Sequence, residues 1–356
     1  MPRPVSVSSL PDEPLVSILV ANYNYEQYLA GALDSALGQT YGRIEVIVCD
    51  DGSTDGSVAV AGRYAARDPR VRLITKPNGG VASALNAAFR ESSGDMLCLL
   101  DADDAFYPRK VERVVELAGS RPAAGLLLHG MDVVDAAGRL VRRIDPSGPA
   151  SNGWIADDVL RRGGRWRSAP ASGLSLRRDL ADALFPLPEA DLRSVADGFI
   201  LTLAPLLAEV ASVPDVLSLY RLHGRNLTGS LAFSADVSAR HLDGLARIER
   251  AVNAWLDAND AGGARLSTRA HVNAVEHRRW RTLLADDAER MPLSRFAGTL
   301  WRDDLYGKKR KLAGLIAGAG GVVVPRRWRA SWLQWMLGDG GFRRRIFRDR
   351  SNKPSA

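Results

Sequence analysis

Between residues 15 and 101 apolar runs and polar clusters alternate in a regular rhythm. LVSILVAN (15–22) is a β-branched run that ends in polar residues, and EQYLAGALDSALGQ behind it sets Leu29, Leu33, Ala36 and Leu37 on one helical face. RIEVIVCD predicts a second strand, DGSTDGS a loop of helix-capping residues, VAVAGRYAA a helix and VRLITK a third strand. PNGG opens the helix VASALNAAFRESSG, and DMLCLL is a fourth strand. This alternation predicts a parallel, doubly wound α/β sheet, in which ligands sit beyond the carboxyl ends of the strands. Asn22, Tyr23, Asn24, Asp50, Asp51, Asn78, Asp101 and Asp103 all fall at or just past those ends. Four successive strands therefore aim their chemistry at one crevice.

From YPRKVERVVELAG onward the strict alternation stops. AAGLLLHGMDVVDAAGRLV predicts two strands around an Asp/Gly turn, followed by a Gly/Pro/Ser loop at 145–153. SGLSLRRDLADALFP predicts a short strand and a helix, VADGFILTLAPLLAEV a helix, and ASVPDVLSLYRLHGRN a strand and a loop. Residues 234–290 predict two polar helices, and the remainder is a basic tail.

Composition narrows the class. The chain has 356 residues, 46% of them hydrophobic, enough for a substantial core and too many for a disordered or fibrous protein. The formal net charge of +7 is uneven: the first hundred residues are near balance and the last sixty are rich in Arg and Lys, so the tail is basic rather than the fold. Cys49 and Cys98 each lie in an apolar run before an acidic motif, which predicts buried thiols on neighbouring strands, not a disulfide. The N-terminal MPRPVSVSSLPDEP has no apolar core of a signal peptide and is expected to be a disordered lead-in, residues 1–14. LAGLIAGAGGVVV is too short and too rich in Gly for a spanning helix, which needs about 20 residues.

The stretch LCLLDADDAF delivers Asp101, Asp103 and Asp104 to one point at the end of a strand. Carboxylates this close raise one another's pKa unless something cationic neutralises them. A strand-end Asp-x-Asp suits a hard cation, Mg²⁺ or Mn²⁺, bound together with substrate phosphates. The alternative is a solvated acidic turn that caps the next helix. Asp50 and Asp51 end the second strand in the same crevice. An aspartate there can accept a hydrogen bond from the imide N–H of a uracil while Tyr23 stacks on the base; the alternative is an N-cap aided by Ser53, Thr54 and Asp55.

VSILVANYN, EVIVCDDGSTDGS, KPNGGVASALNAAF and GDMLCLLDADDAFYP, in that order over residues 15–110, resemble the successive signatures of family 2 glycosyltransferases, inverting nucleotide-sugar-dependent enzymes of GT-A fold. The resemblance implies a Rossmann-like, mainly parallel central sheet flanked by helices, with an α-helical, basic C-terminal extension at 234–356. Residues 15–110 would form the nucleotide-sugar-binding half and 111–233 the acceptor-side half of one domain, 15–233. It implies a UDP-sugar donor contacted by Ala21, Tyr23, Asp51, Asn78, Asp101, Ala102, Arg221 and His223, with Asp101 and Asp103 holding Mn²⁺ or Mg²⁺. Ala21 stands where many relatives carry Thr or a similar polar residue, which removes one possible donor contact. SGLSLRRDL resembles the acceptor-side segment of the family, and SVADGFILTLAPLLAEVASVPDVLSLYRLHGRN the stretch from its acidic pair to Y-R-x-H-x-x-N. Asp197 then matches the catalytic aspartate, with Ala196 in place of the acidic residue often found before it; an N-cap is the structural alternative for Asp197.

One base suffices for such a transfer, because a nucleoside diphosphate is already a good leaving group. Arg221 and His223 could bind diphosphate oxygens or order their loop. His129 reads as a partly buried strand residue. Trp154 and Trp166 could stack on a sugar or fill the core; Asn86 and Lys76 are weak donor-side candidates.

GKKRK, PRRWRASWLQWML and FRRRIFRDR interleave basic and apolar residues. The segment suits an anionic membrane surface, which would bring a cytoplasmic enzyme to a lipid-linked acceptor at the inner face of the plasma membrane. A packed helix with a solvated basic face and a disordered tail are the alternatives, and no nucleic-acid fold accompanies the basic runs. A sugar nucleotidyltransferase or a dinucleotide-dependent oxidoreductase would need a Gly-rich loop after the first strand, and ANYNYEQY has no glycine. The reading is thus a transferase of hexosyl type acting on a glycan or lipid-linked acceptor in cell-surface polysaccharide or glycolipid assembly. A non-catalytic nucleotide-sugar-binding module of the same fold is the rival.

Overall fold

Strands β1 (Val16–Asn22), β2 (Ile44–Asp50), β3 (Val71–Thr75) and β4 (Met96–Asp101) are parallel and neighbour one another in the order β3-β2-β1-β4. The computed structural model describes residues 2–223, 234–285 and 290–337. Alternate residues of these strands enter two different cores. Leu19, Ile47, Cys49, Leu97 and Leu99 face one side, and Ile18, Val20, Val46, Val48, Cys98 and Leu100 the other. With both faces covered, the strands read as continuous apolar runs.

Helices α1 (Glu26–Leu37), α2 (Ser57–Ala65) and α4 (Lys110–Ser120) cover one face with Leu29, Leu33, Val60, Ala61, Val111 and Val114. α3 (Val81–Arg90) joins β3 to β4, while α5 (Ala156–Arg161), α6 (Arg178–Leu184) and α7 (Ala196–Leu207) lie between later strands, and α3, α6 and α7 supply Leu85, Leu180 and Phe199 to the other core. The remaining strands are β5 (Ala105–Phe106), β6 (Ala124–Val134), β7 (Leu140–Ile144), β8 (Leu174–Arg177) and β9 (Glu209–Arg221). They extend the sheet to β3-β2-β1-β4-β8-β6-β9-β5, with β7 on β6. β8 is antiparallel to both β4 and β6, while β6 and β9 run parallel.

Three expectations are corrected. Residues 2–14 are ordered rather than a disordered lead-in: the Val5 amide donates to Leu207 O at 2.7 Å, the Ser8 amide to Asp179 Oδ2 at 2.7 Å, and Val5 and Val7 pack on the core. Cys49 and Cys98 are buried free thiols, but β1 runs between their strands, with Ala21 opposite Cys49 and Ile18 opposite Cys98. The chain also divides elsewhere than at residue 233. One compact unit comprises 2–160, 166–223 and 247–266. Ile248, Val252 and Leu256, from the second half of α8 (Ala235–Ala258), are spaced by four and enter the core of that sheet unit.

The other unit, among the described residues, is 161–165, 234–246, 267–285 and 290–337. It contains α9 (Val272–Leu284), α10 (Leu293–Arg302), α11 (Lys308–Val323) and α12 (Arg326–Leu337). Val275, Trp280, Leu283, Phe296, Leu300, Ala317 and Leu333 form its core, so much of the basic tail is a folded helical unit. Glu276 holds Arg310 at 2.6 Å and the Tyr306 hydroxyl at 3.0 Å. The FRRRIFRDR run (342–350) lies outside the described residues.

Candidate active site

The parallel register sets the site: Asn22 at the end of β1 lies opposite Asp50, and Ala21 lies between Cys49 and Asp101. The two aspartates after β2 then separate in role. Asp50 accepts from Asn22 Nδ2 at 2.7 Å and from the Ser53 amide at 2.8 Å, so it ties the first two strand ends together. Asp51 accepts from Lys76 Nζ at 2.7 Å and from the amides of Gly79 at 2.9 Å and Gly80 at 2.7 Å. Its own carbonyl accepts from Asn78 Nδ2 at 3.0 Å. A carboxylate offers about four lone-pair sites, so Asp51 keeps acceptor capacity beside these three donors. Two glycines are required here. Gly52 has φ +77° and a Cβ on it would lie 2.9 Å from the Asn78 amide; Gly80 has φ +93° and would meet the Arg193 backbone at 2.7 Å.

The N-cap of α2 is Gly56 rather than Asp55, which sits one residue earlier and accepts from the Ser57 amide at 3.0 Å in a local turn. Tyr23 is 46% exposed at the rim, while Ala102 is buried. Asn22 is buried too, and its Oδ1 has no hydrogen-bond partner, leaving an acceptor at the carboxyl end of β1.

The third acidic group is the densest. Oxygens of Asp101, Asp103 and Asp104 all lie within 4.8 Å of one another. Burial, then the charges of Asp103 and Asp197, push the Asp101 carboxyl up to about 8. Asp104 is raised by burial and by Asp101 and Asp103. Asp104 is held by its neighbours: Ser172 Oγ donates to Oδ2 at 2.6 Å and the Arg221 amide to Oδ1 at 3.0 Å. Ser172 Oγ also accepts from the Asp101 amide at 3.1 Å. An all-oxygen set with this much concentrated negative charge fits Mg²⁺ or Mn²⁺ through Asp101 and Asp103.

Arg221 and His223, at and after the end of β9, join this cluster. His223 Nε2 lies 2.8 Å from Asp103 Oδ2, and Arg221 Nε donates to Asp103 O at 3.1 Å. His223 stacks on Tyr28 with ring centroids 4.9 Å apart, and the Arg221 guanidinium lies 5.3 Å from the same ring. The Asn226 of the Y-R-x-H-x-x-N pattern lies outside the described residues.

Asp197 is the second residue of α7, whose N-cap is Val195, so it is not an N-cap. Burial raises its carboxyl while the Gly198 amide opposes the shift, and its charge reaches Asp101. Asp101 and Asp197 are both half-buried, so each carboxyl keeps access to solvent.

Asn86, Trp166 and His129 have internal partners or full burial. Asn86 donates to Leu187 O at 2.9 Å and accepts from its amide at 2.7 Å. Trp166 is buried, donating to Leu201 O at 2.7 Å. His129 is wholly buried, not partly, and burial pushes it down to about 3. Trp154 is 40% exposed. Sequence reasoning missed Tyr25, Tyr28, Ser172 and Arg193. The spacing of Tyr25 and Tyr28, one helical turn at the start of α1, was a usable signal. Arg193, which donates to Asn78 Oδ1 at 2.7 Å, comes from a loop that no local pattern ties to the site.

Residues 17–185 match the family model described as glycosyl transferase family 2. An uncharacterized glycosyltransferase of Nostoc sp. is 32% identical over 243 residues, 68% of this chain and 75% of that protein. The chain belongs to glycosyltransferase family 2. The hyaluronan synthase of Pasteurella multocida is 44% identical over 109 residues, which cover 31% of this chain but only 11% of the synthase. The fold is that of GT-A enzymes. Mannosyltransferase PcManGT of Pyrobaculum calidifontis, solved with GDP-Man and Mn²⁺, aligns with a TM-score of 0.52 at 19% identity over 95% of this chain and 89% of that one. S. aureus TarS 1–349 with UDP-GlcNAc aligns at 0.51 and 16% identity, over 90% and 92%. This family 2 chain is therefore a glycosyltransferase with an Asp cluster able to hold a metal.

Proposed function

We propose that this glycosyltransferase is inverting and moves a sugar from a UDP-sugar to an acceptor hydroxyl, in assembly of a bacterial cell-surface polysaccharide or glycolipid. The observation that carries the reading is the cluster of Asp101, Asp103 and Asp104 oxygens within 4.8 Å of one another at the end of β4, with Arg221 and His223 on Asp103. One aspartate serves as base while the others serve the donor diphosphate.

In this reading the base of the nucleotide lies between Tyr23 and Asp51, with Asn78 and the buried Oδ1 of Asn22 as further polar contacts. Lys76 and the Gly79 and Gly80 amides fix the Asp51 carboxylate so that it accepts from the imide without rearranging. Asp101 and Asp103 would hold Mg²⁺ or Mn²⁺, which when bound neutralises charge on the departing diphosphate. Arg221 and His223, which contact Asp103, would meet diphosphate oxygens. Asp197 takes the acceptor proton, a role its raised pKa favours. Attack from the face opposite the nucleotide inverts the anomeric carbon.

Isothermal titration with UDP, GDP and dTDP, each with Mn²⁺ and with EDTA, tests the donor site on the native protein and on Asp103→Ala. Metal-dependent UDP binding that the substitution abolishes supports the reading. Metal-independent binding would make the acidic cluster structural, and binding without transfer would favour a non-catalytic module.

A further inference from the structure

Helix α11 carries most of its large apolar side chains on the outside, Leu315 being partly buried against the core. Its inward face is Ala313, Gly314, Ala317, Gly318 and Gly321, while Leu312 is 47%, Ile316 38%, Val322 55% and Val323 85% exposed. An ordinary surface helix of a globular protein has the reverse arrangement. Leu312, Ile316, Ala319 and Val323 recur at spacings of four, three and four, one continuous stripe. The small inner face is dictated by close packing. A Cβ on Gly318 would lie 2.5 Å from the Phe296 ring, on Gly321 2.6 Å from Leu283 and on Gly314 2.8 Å from Leu300.

The surroundings extend the pattern. Trp301 on α10 is 61% exposed, and Trp328 and Trp335 on α12 are 57% and 45% exposed. Lys308 and Lys309 open α11, and Arg326 and Arg327 open α12. From 305 to 337 the sequence has seven Lys or Arg and no Asp or Glu. So many exposed large apolar side chains on neighbouring helices mark an interaction face.

We propose that this face of α11 and α12 docks on an anionic lipid bilayer. The aliphatic stripe enters the boundary between headgroups and acyl chains, the tryptophans lie at headgroup level, and the Lys and Arg side chains meet lipid phosphates. Charge selects this occupant over a second copy of the chain, because two such faces would bring Lys and Arg together with no carboxylate between them. No helix among the described residues is long and apolar enough to cross a membrane, so the contact is interfacial. Docking stands apart from the transfer reaction; only its use in reaching a lipid-linked acceptor rests on the proposed function.

Flotation of the full chain, without nucleotide, on vesicles of phosphatidylcholine alone or mixed equally with phosphatidylglycerol tests it. The wild type is expected to float with the anionic vesicles, less so at high salt. Ile316→Glu with Val323→Glu should reduce binding by about tenfold or more, with helix content and Tm unchanged because both positions face outward. Lys308→Glu with Lys309→Glu should remove the preference for phosphatidylglycerol. Unchanged flotation of the apolar variant, or no wild-type binding to anionic vesicles, overturns the proposal. So does a wild-type dimer that the apolar substitutions dissociate, since a second copy would then be the occupant. Because flotation needs neither donor nor acceptor, a failed transfer assay leaves this result intact, and the converse.

Discussion

Lys76 Nζ lies 2.7 Å from Asp51 Oδ1, on a carboxylate that also takes the amide hydrogens of Gly79 and Gly80. The loop after β3 is therefore pinned to the end of β2 by one buried side chain. Lys76→Met should remove the cation and leave the two amides, lowering stability by about 1–3 kcal/mol and weakening UDP binding by about tenfold. Titration and thermal melting check this. A variant that binds UDP like the wild type would separate Asp51 from donor recognition.

Asp197→Asn keeps the shape of the first turn of α7 but cannot take a proton. Transfer should fall by about 100 to 10,000-fold while UDP affinity is retained. Single-turnover assay beside titration makes the distinction, and transfer at the wild-type rate would remove Asp197 from the base role.

Ser172 Oγ bridges two acidic residues, donating to Asp104 Oδ2 and accepting from the Asp101 amide. Ser172→Ala should leave Asp104 with an unpaired oxygen at a cost of about 1–3 kcal/mol. Mn²⁺-dependent nucleotide binding should weaken with it, and Ser172→Thr should restore part of the loss. If melting temperature and metal dependence are both unmoved, the bridge is dispensable.

Acid should loosen the helical unit. Burial first, then Arg165 and the neighbouring imidazoles for His271 and the His241 imidazole for His277, pushes both down to about 3, while an unfolded imidazole protonates near 6.5. Each is neutral in the fold at pH 7. Their contribution is complete above about pH 6.5 and is lost as the pH falls toward 3, at up to about 1.4 kcal/mol per unit for each group. His241, whose ring centroid is 4.0 Å from that of His277, is shifted the same way, as is His129 in the sheet unit. Thermal melts should drop by several degrees between about pH 7.5 and about pH 5.5, with a shallower drop in His277→Gln. Equal melting points at both values would contradict it.

The four parallel strands and their helices were legible because each apolar run is bounded by polar residues that sit at strand ends. The acidic residues gathered for the same reason: a parallel register carries every carboxyl end to one edge. Other features depend on long-range packing. Nothing local indicates that β8 inserts between β4 and β6, which is what brings Ser172 to Asp101 and Asp104. A motif singled out Arg221 and His223, which the structure places on Asp103, but their shared contact with Tyr28 was not readable, since about 190 positions of chain separate them. The order of residues 2–14 was missed because a short Val- and Ser-containing segment has no period to betray docking. The split of α8 between two units follows from apolar positions in its second half that were read as part of a polar helix.

The two thiols flank β1 from either side, each a few residues before an acidic motif. Burial pushes Cys49 up to about 12, so its thiol stays protonated and unreactive while the sheet is closed. An alkylating reagent added to the native enzyme would then time the opening of β2 and β4, one cysteine at a time. The protein carries its own pair of clocks for the part of the fold on which its chemistry depends.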